Sequence, residues 1–407
     1  MKKSLLLTAM IIIGIMAKAT DLIVEENGLA PSYSSITAAL AAANSGDRIF
    51  IKNKASNLPW LENITINKSV DLLAFVNDSF FIMQGTVTVA PTTFSTINII
   101  GMINLNGGIS MSTSPTGSRT IVRILGCQLA GGISQQVNNY DLTVYGCTIS
   151  GSVSYMHGSI VANVINAASG YGINILSEST TTTDTSYIFG NKITTNASAS
   201  YGIYWTSTTM IFDIRNNFVS TPYSGIYIGN TVGTSQLNKI YNNTISVTNA
   251  TQSGSYSIYV TGGVGANVDI QNNVLDRNSA PNYTYYGIYA LPGSGGTTTV
   301  AYNFIDNIFS SQVSGPPTVN LNNTVVSLAL NANGSTQSSV GLNGGNPGVQ
   351  FYDTDLTVND AGCYGGSYTL NNFFPQFTGA ANTWLTNYQF NVRTGNTLSI
   401  KASSFDR

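Results

Sequence analysis

The sequence predicts an all-β chain, a single-stranded right-handed parallel β-helix solenoid with a short helix capping its N-terminal end. Three observations carry this. A six-residue unit with apolar ends and a central small or amide residue recurs along the middle of the chain. A second, Ile-Tyr-Ile-like unit interleaves with it. Helical periodicity is absent across this region, and 40 glycines would break helices wherever they fell.

The first unit reads Ile124-x-x-Cys127-x-Leu129, Val144-x-x-Cys147-x-Ile149, Ile160-x-x-Asn163-x-Ile165 and Ile188-x-x-Asn191-x-Ile193. It continues as Ile214-x-x-Asn217-x-Val219, Ile240-x-x-Asn243-x-Ile245, Ile270-x-x-Asn273-x-Leu275 and Val300-x-x-Asn303-x-Ile305. The steps between central residues are 20, 16, 28, 26, 26, 30 and 30. The step of 16 is short for a full coil and puts the register of the Asn163 unit in question. The second unit is Ile173-Asn174-Ile175, Ile203-Tyr204-Trp205, Ile226-Tyr227-Ile228, Ile258-Tyr259-Val260 and Ile288-Tyr289-Ala290, with Gly before four of the five.

Repeats of this length admit leucine-rich repeats, propellers and β-helices. The leucine framework and the propeller signatures are missing, so a β-helix remains, its period varied by loops that leave each coil between strands. The central Asn column reads as structural. Asn tolerates left-handed backbone angles at a sharp bend, and stacked Asn side chains can hydrogen-bond along the column. At the N-terminal side, Tyr33 to Asp47 reads as a capped amphipathic helix with Ile36, Ala39, Leu40 and Ala43 on one face and Gly46 ending it. Such a helix plugs the open end of a solenoid.

The chain divides into residues 1–19, read as a signal peptide, 20–370, the β-helix with its clearest repeats at 97–310, and 371–407, a C-terminal cap or tail whose Phe-rich stretch at 373–377 is placed to cover the open end. The leader reading rests on a basic Met1-Lys2-Lys3, an apolar run from Leu5 to Met16 too short to span a bilayer, and Ala17-Lys18-Ala19 as a cleavage site. It implies export to the periplasm, the cell surface or the medium. Its removal leaves 13 basic and 18 acidic side chains. Charged residues are 8% of the chain, against about 25% in ordinary soluble domains, and no basic stripe exists for nucleic acid. The surface is therefore Ser, Thr, Asn, Gly and Tyr, suited to sugars or to a plain repetitive sheet. No membrane span is expected after the leader, and the chain is expected to be a monomer. Cys127 and Cys147 share a column and are read as buried free thiols, and Cys363 lacks an evident partner.

Tyr33-Ser34-Ser35-Ile36-x-x-Ala39-Leu40, Ser45-Gly46-Asp47-x-Ile49 and Glu62 to Ser69 resemble the N-terminal coils of pectin-lyase-like β-helix proteins. Asn359-Asp360-Ala361-Gly362-Cys363-Tyr364-Gly365-Gly366 resembles a closing segment of bacterial secreted proteins of that class. The resemblance implies the fold. It carries over no catalytic residue. The single histidine, His157, lies outside any Gly-His-Gly, and neither pectinesterase motifs nor the dense Asp cluster of calcium-dependent pectate lyases is visible.

The register still places charges. Neighbouring coils are about 4.8 Å apart, so residues at equal register stack. Asp213, Lys239 and Asp269 lie four places before the central Asn on three successive coils, facing outward. Asp276 and Asp306 lie three places after it, with Arg277 beside the first. These columns read as a catalytic or calcium site of a polysaccharide lyase, or as surface charge ladders. Asp353, Asp355 and Asp360, with Asn359, form an oxygen cluster that could take calcium or make turns. No other cofactor is expected. Tyr204, Tyr227, Tyr259 and Tyr289 face out as a four-ring ladder, capped by Asn174, on which sugars could stack, while Trp205 faces the core. The expected function is a non-catalytic, glycan-binding or surface-interaction scaffold. The alternatives are a divergent lyase of acidic polysaccharide and a purely structural exoprotein.

Overall fold

A computed structural model describes residues 19–374, apart from 56, 77–78, 180–183, 232, 234–235, 249–253, 279–283 and 338, together with the strands 382–387 and 401–405. Residues 1–18 of the leader reading lie outside the described residues. No helix among the described residues is long and apolar enough to cross a membrane.

The chain winds into a parallel β-solenoid of the right-handed type with about 11 turns. Three parallel sheets of 13, 12 and 11 strands form its sides, and each coil visits them in that order. One coil illustrates the unit: Leu237–Tyr241 in the first sheet, Thr244–Thr248 in the second and Ser255–Thr261 in the third. Inward positions alternate with outward ones along each strand, so Ile240, Ile245, Ile258 and Val260 are fully buried in a core that runs the length of the molecule. Trp205 is fully buried there too. The glycine before most Ile-Tyr units has a packing cause: a Cβ on Gly202 would sit 2.2 Å from Val219 Cγ1, an inward side chain of the second sheet.

The single α-helix among the described residues, Ile36–Ala42, packs against the first coils and buries Ile36, Ala39 and Leu40, with Ala43 just beyond its end. Ser35 caps it by accepting the Ala38 N–H at 3.0 Å. Glu62, from the following coil, accepts the N–H groups of Ile36 and Thr37 at 2.9 and 2.8 Å, so the first turn is held by the solenoid itself.

The Asn column turns between the first and second sheets. The Asn217 N–H donates to Asn243 Oδ1 (3.1 Å) and the Asn243 N–H to Asn273 Oδ1 (2.9 Å), while each Nδ2 bonds the next Oδ1 and a carbonyl of the preceding coil. The Asn163 unit is in register despite its step of 16: Cys147 N–H donates to Asn163 Oδ1, and Asn163 continues to Asn191. Cys127 and Cys147 extend the column as buried thiols that form no disulfide, and Asn323 extends it beyond Pro316-Pro317, within a further coil of strands Ser311–Ser314, Val319–Leu321 and Thr324–Val326. One detail differs from the sequence reading. The left-handed residue is not the ladder Asn but the one before it: Asn216 (φ 52°), Asn242 (53°), Asn272 (58°) and Asn322 (54°). The bend is made by the first Asn of each pair, and the second supplies the hydrogen bonds.

The C-terminal segment departs most from expectation. After Val326 the chain leaves the coils and runs back along the outside of the turn column as a strap, toward the N-terminal end. Asn272 Oδ1 accepts the Asn346 N–H (2.7 Å), Asn242 Nδ2 donates to Asn359 Oδ1 (3.0 Å), and Asn216 Nδ2 donates to the carbonyls of Cys363 (3.1 Å) and Gly365 (2.6 Å). The segment Asn359–Gly366 thus lies on the flank of successive coils. Phe373 ends in an apolar cluster with Leu125, Tyr145, Val161, Ala162 and Phe189, not over the open end of the solenoid. The reason is local: these outward side chains give it an apolar seat, and the left-handed Gly190 has no Cβ, which would lie 2.1 Å from the Phe373 ring. Residues 375–377 of that stretch lie outside the described residues. Strands Asn382–Asn387 and Lys401–Phe405 pair as an antiparallel hairpin.

Candidate functional sites

Both charged columns line clefts, and the strap supplies a wall to each. The first cleft, about 650 Å³, lies on the first sheet. Its floor is the in-register column Asp213, Lys239 and Asp269, joined by Arg215, Tyr241 and Gln271 two residues further along the same strands. Asn346, Gln350, Phe351 and Tyr368 of the strap form its wall.

Arg215 grips Asp213 with two parallel hydrogen bonds, one through Nε and one from Nη2 at 2.7 Å. Its guanidinium also lies 5.1 Å from the Tyr241 ring and 5.2 Å from that of Tyr368. Burial opposes the charged form of Arg215, but Asp213 outweighs it and holds the pKa above the ordinary value. Lys239 sits 3.9 Å from Asp213 Oδ2. Burial, with Arg215 nearby, pulls its pKa below that of an ordinary lysine despite Asp213. Asp269 accepts the Tyr241 hydroxyl at 2.5 Å and Gln271 Nε2 at 2.7 Å. Burial nonetheless raises the Asp269 pKa, and burial followed by the Asp269 charge pushes the Tyr241 phenol well above its usual value. Sequence reasoning found the three charges but missed Arg215, Tyr241 and Gln271. Their signal was the second outward position of the same strands, two residues after each charge.

The second cleft, about 630 Å³, lies on the second sheet and holds the other column. Asp276 and Asp306 are only 4% and 2% exposed. Ser246 Oγ donates to Asp276 at 2.8 Å, and the Ile308 N–H donates to Asp306 at 3.3 Å. Burial, reinforced by Asp306, lifts Asp276 to about 6, and burial also raises Asp306. Asp306 accepts the Arg277 backbone N–H, and its charge acts on the Arg277 guanidinium, whose Nη1 donates to the Ile308 carbonyl (2.7 Å) and which lies 4.2 Å from the Tyr285 ring.

The tyrosine ladder forms in register, Tyr204 to Tyr227 to Tyr259 to Tyr289, with Asn174 beside Tyr204. Its rings stack on one another, with centroids 5.3, 4.4 and 5.2 Å apart and planes within 20°. Ring faces inside the ladder are therefore occupied by neighbouring rings, and the column turns edges and hydroxyls outward. A parallel set, Tyr171, Tyr201, Tyr256 and Tyr286, packs beside it. This second set was legible as a Tyr three residues before Asn174, Tyr204, Tyr259 and Tyr289, with Ser224 at that place before Tyr227.

The C-terminal carboxylates secure the strap. Asp353 accepts backbone N–H groups from Asp360 (2.9 Å) and Gly366, Asp355 accepts from Thr357 (3.0 Å), and Asp360 accepts the Asn343 N–H (2.6 Å). The Asp355 bond is the local turn bond expected of Asp in loops, whereas Asp353 and Asp360 tie together stretches 7 to 17 residues apart.

One cluster escaped the sequence entirely. His157 lies between Asp141 (3.2 Å) and Asp184 (3.1 Å), and Arg119 bonds Glu178, whose side chain is fully buried, at 2.7 Å. Burial opposes protonation of His157, but the hydrogen bond and charge of Asp141 outweigh it and raise the pKa. The members are up to 65 residues apart in sequence, from Arg119 to Asp184, and no local pattern connects them.

Comparison with protein-family models, with curated proteins and with solved structures returns no match. The fold and the clefts define a class, an all-β parallel solenoid scaffold with three parallel sheets and, among the described residues, one short α-helix.

Proposed function

We propose that the protein is an exported glycan-binding scaffold of the pectin-lyase-like kind, and that its primary site is the first cleft, which takes an acidic polysaccharide. The observation that carries this reading is the composition of that cleft. Lys239 is held by one long ion pair with Asp213, whereas Arg215 is already gripped by the same carboxylate. A uronate carboxylate entering the cleft meets Lys239. Tyr187, Tyr241, Tyr368 and Phe351 supply aromatic surface, and Gln271, Asn346 and Gln350 supply amides for sugar hydroxyls. The outward tyrosine hydroxyls of the third sheet offer a further polar strip for a long chain.

A second reading, a lyase of acidic polysaccharide, is favoured by one observation. Lys239 has a lowered pKa and stands beside Tyr241, as a base for β-elimination must be poised to take a proton. One experiment separates the two. The full chain is incubated with polygalacturonate and alginate, with calcium or with chelator, while binding is followed by affinity electrophoresis and unsaturated products by ultraviolet absorbance. Binding lost in Lys239→Ala without product supports the scaffold. Product lost in the same variant supports the lyase. Neither binding nor product removes both.

A further inference from the structure

The histidine cluster lies outside the residues that line either cleft. Arg119, Asp141, His157 and Asp184 sit in, or immediately before, strands Thr120–Leu125, Tyr140–Tyr145, Gly158–Val161 and Thr185–Phe189, which are successive neighbours in the first sheet. Glu178 joins them from beyond strand Tyr171–Ile175 and also accepts the Asn139 N–H at 3.0 Å. His157 is only 8% exposed, and each ring nitrogen faces a carboxylate oxygen: Nδ1 that of Asp141 at 3.2 Å, Nε2 that of Asp184 at 3.1 Å. An ionised carboxylate only accepts, and a neutral imidazole has a single N–H. Both contacts are hydrogen bonds only when the ring carries two protons. With one, a nitrogen lone pair is left against an oxygen lone pair.

The surrounding charges favour the second proton. The carboxylates of Asp141, Glu178 and Asp184 face one guanidinium, that of Arg119, which reaches Glu178 at 2.7 Å and Asp184 at 3.5 Å. Asp141 and Asp184 touch the ring, Arg119 opposes its charge, and Glu178 acts through Arg119. An imidazolium halves the excess of negative charge. We infer that His157 is a proton-operated clasp between coils: as imidazolium it ties Asp141 on one side to Asp184 on the other, and on losing its proton it lets one of them go. The clasp secures the start of strand Thr185–Phe189, because the Asp184 carbonyl accepts the Ile211 N–H (3.1 Å) of the next coil. Arg119 remains as a hold that does not titrate in this range. Burial works against the charged ring, but Asp141 outweighs it and raises the folded pKa above the unfolded one. The clasp therefore contributes fully below about pH 6.5 and is lost as pH rises through the folded value. None of this depends on what the clefts bind.

The chain has a single histidine, so its ring can be followed alone. Nuclear magnetic resonance of the isotope-labelled full chain reports the protonation of both ring nitrogens over about pH 5 to 9. Hydrogen exchange, corrected for its intrinsic pH dependence, reports protection of the Ile211 amide, with the Asn217 amide as control. The expected result is a doubly protonated ring at about pH 6 and a midpoint above about 6.5. Protection at Ile211 should fall about fivefold to tenfold through that midpoint, while Asn217 stays constant. His157→Gln should abolish the pH dependence. Asp184→Asn should lower the midpoint and also abolish it, because an amide can accept from the charged ring or donate to the neutral one. The Asp184 side chain is 56% exposed, so this variant is informative even if the buried His157 variant folds poorly. A ring with one proton at about pH 6 overturns the inference. So does a doubly protonated ring whose deprotonation does not lower Ile211 protection, or a pH-dependent fall that persists in Asp184→Asn.

Discussion

Replacing Asn243 by alanine tests the turn column directly. The side chain is fully buried, and its Oδ1 accepts both the Asn217 N–H and Asn217 Nδ2, at 3.1 and 2.9 Å. Its Nδ2 donates to the carbonyls of Ile214 and Tyr241 and to Asn273 Oδ1, at 3.0 to 3.1 Å. Alanine leaves the buried Asn217 N–H without that acceptor and two carbonyls without that donor, while Asn217 Nδ2 retains Ile188. One orphaned buried donor costs about 1–3 kcal/mol, and the weakened carbonyls bring the expected loss to about 2–4 kcal/mol. Cysteine is the informative control, because Cys147 already fills this position on another coil: its Sγ accepts the Cys127 N–H at 3.3 Å and faces the Ile124 carbonyl at 3.4 Å. Asn243→Cys is expected to lose about half as much as alanine, thiols being weak donors and acceptors. Thermal and denaturant unfolding give the totals, and hydrogen exchange at the Asn217 amide gives the local effect, about tenfold faster per 1.4 kcal/mol. An alanine variant within about 0.5 kcal/mol of wild type, or no more damaged than the cysteine variant, would refute the reasoning.

Three further outcomes are expected. Gly202→Ala places a Cβ 2.2 Å from Val219 Cγ1 and should destabilise by about 1–3 kcal/mol; combining it with Val219→Ala should recover part of that loss in denaturant titration, and additive losses would count against the packing account. Asp276 has a folded pKa of about 6, above its unfolded value, so its contribution favours folding at low pH and is lost as pH rises from about 4 to 6. Asp276→Asn should flatten that fall by about 1–2 kcal/mol, allowing for partial solvent screening, and parallel stability–pH curves for the two proteins would show the carboxyl to be unperturbed. The three thiols are buried, and burial pushes Cys363 up to about 12, so a thiol reagent at pH 8 should label none in the native protein and three after denaturation; rapid native labelling would contradict the packing of the column and strap.

The coils were legible because their signal is local and repeated. Ile214, Asn217 and Val219 recur as a set on each turn, and the charges of both columns could be stacked by counting from the central Asn. The same counting puts Asp213, Lys239 and Asp269 in one column, as the register of their strands does. What it could not supply came from contacts without periodicity. Asn216, Asn242 and Asn272 read as bystanders to their neighbours, yet they make the bend and bind the strap. Nothing in the sequence around Phe373 announces Gly190 as its seat, since the two are far apart and share no pattern. The walls of both clefts belong to this segment, so the sequence revealed floors without walls. The tyrosine ladder was placed correctly, but the mutual stacking of its rings depends on side-chain angles that register alone does not determine.

The strap changes how the molecule must assemble. A solenoid alone is built from nearest-neighbour contacts, and each coil can form as soon as the one before it is in place. Here a segment made after the coils fastens onto coils made much earlier, through Asn272, Asn242, Asn216 and finally the cluster that reaches Leu125 and Tyr145. These contacts span from 74 residues of sequence, at Asn272, to 248, between Leu125 and Phe373, so both clefts are completed only once the strap itself has been made. A growing chain therefore carries the floors of both clefts unwalled until the strap is made, and removal of the strap would open both clefts at once while leaving the coils themselves wound.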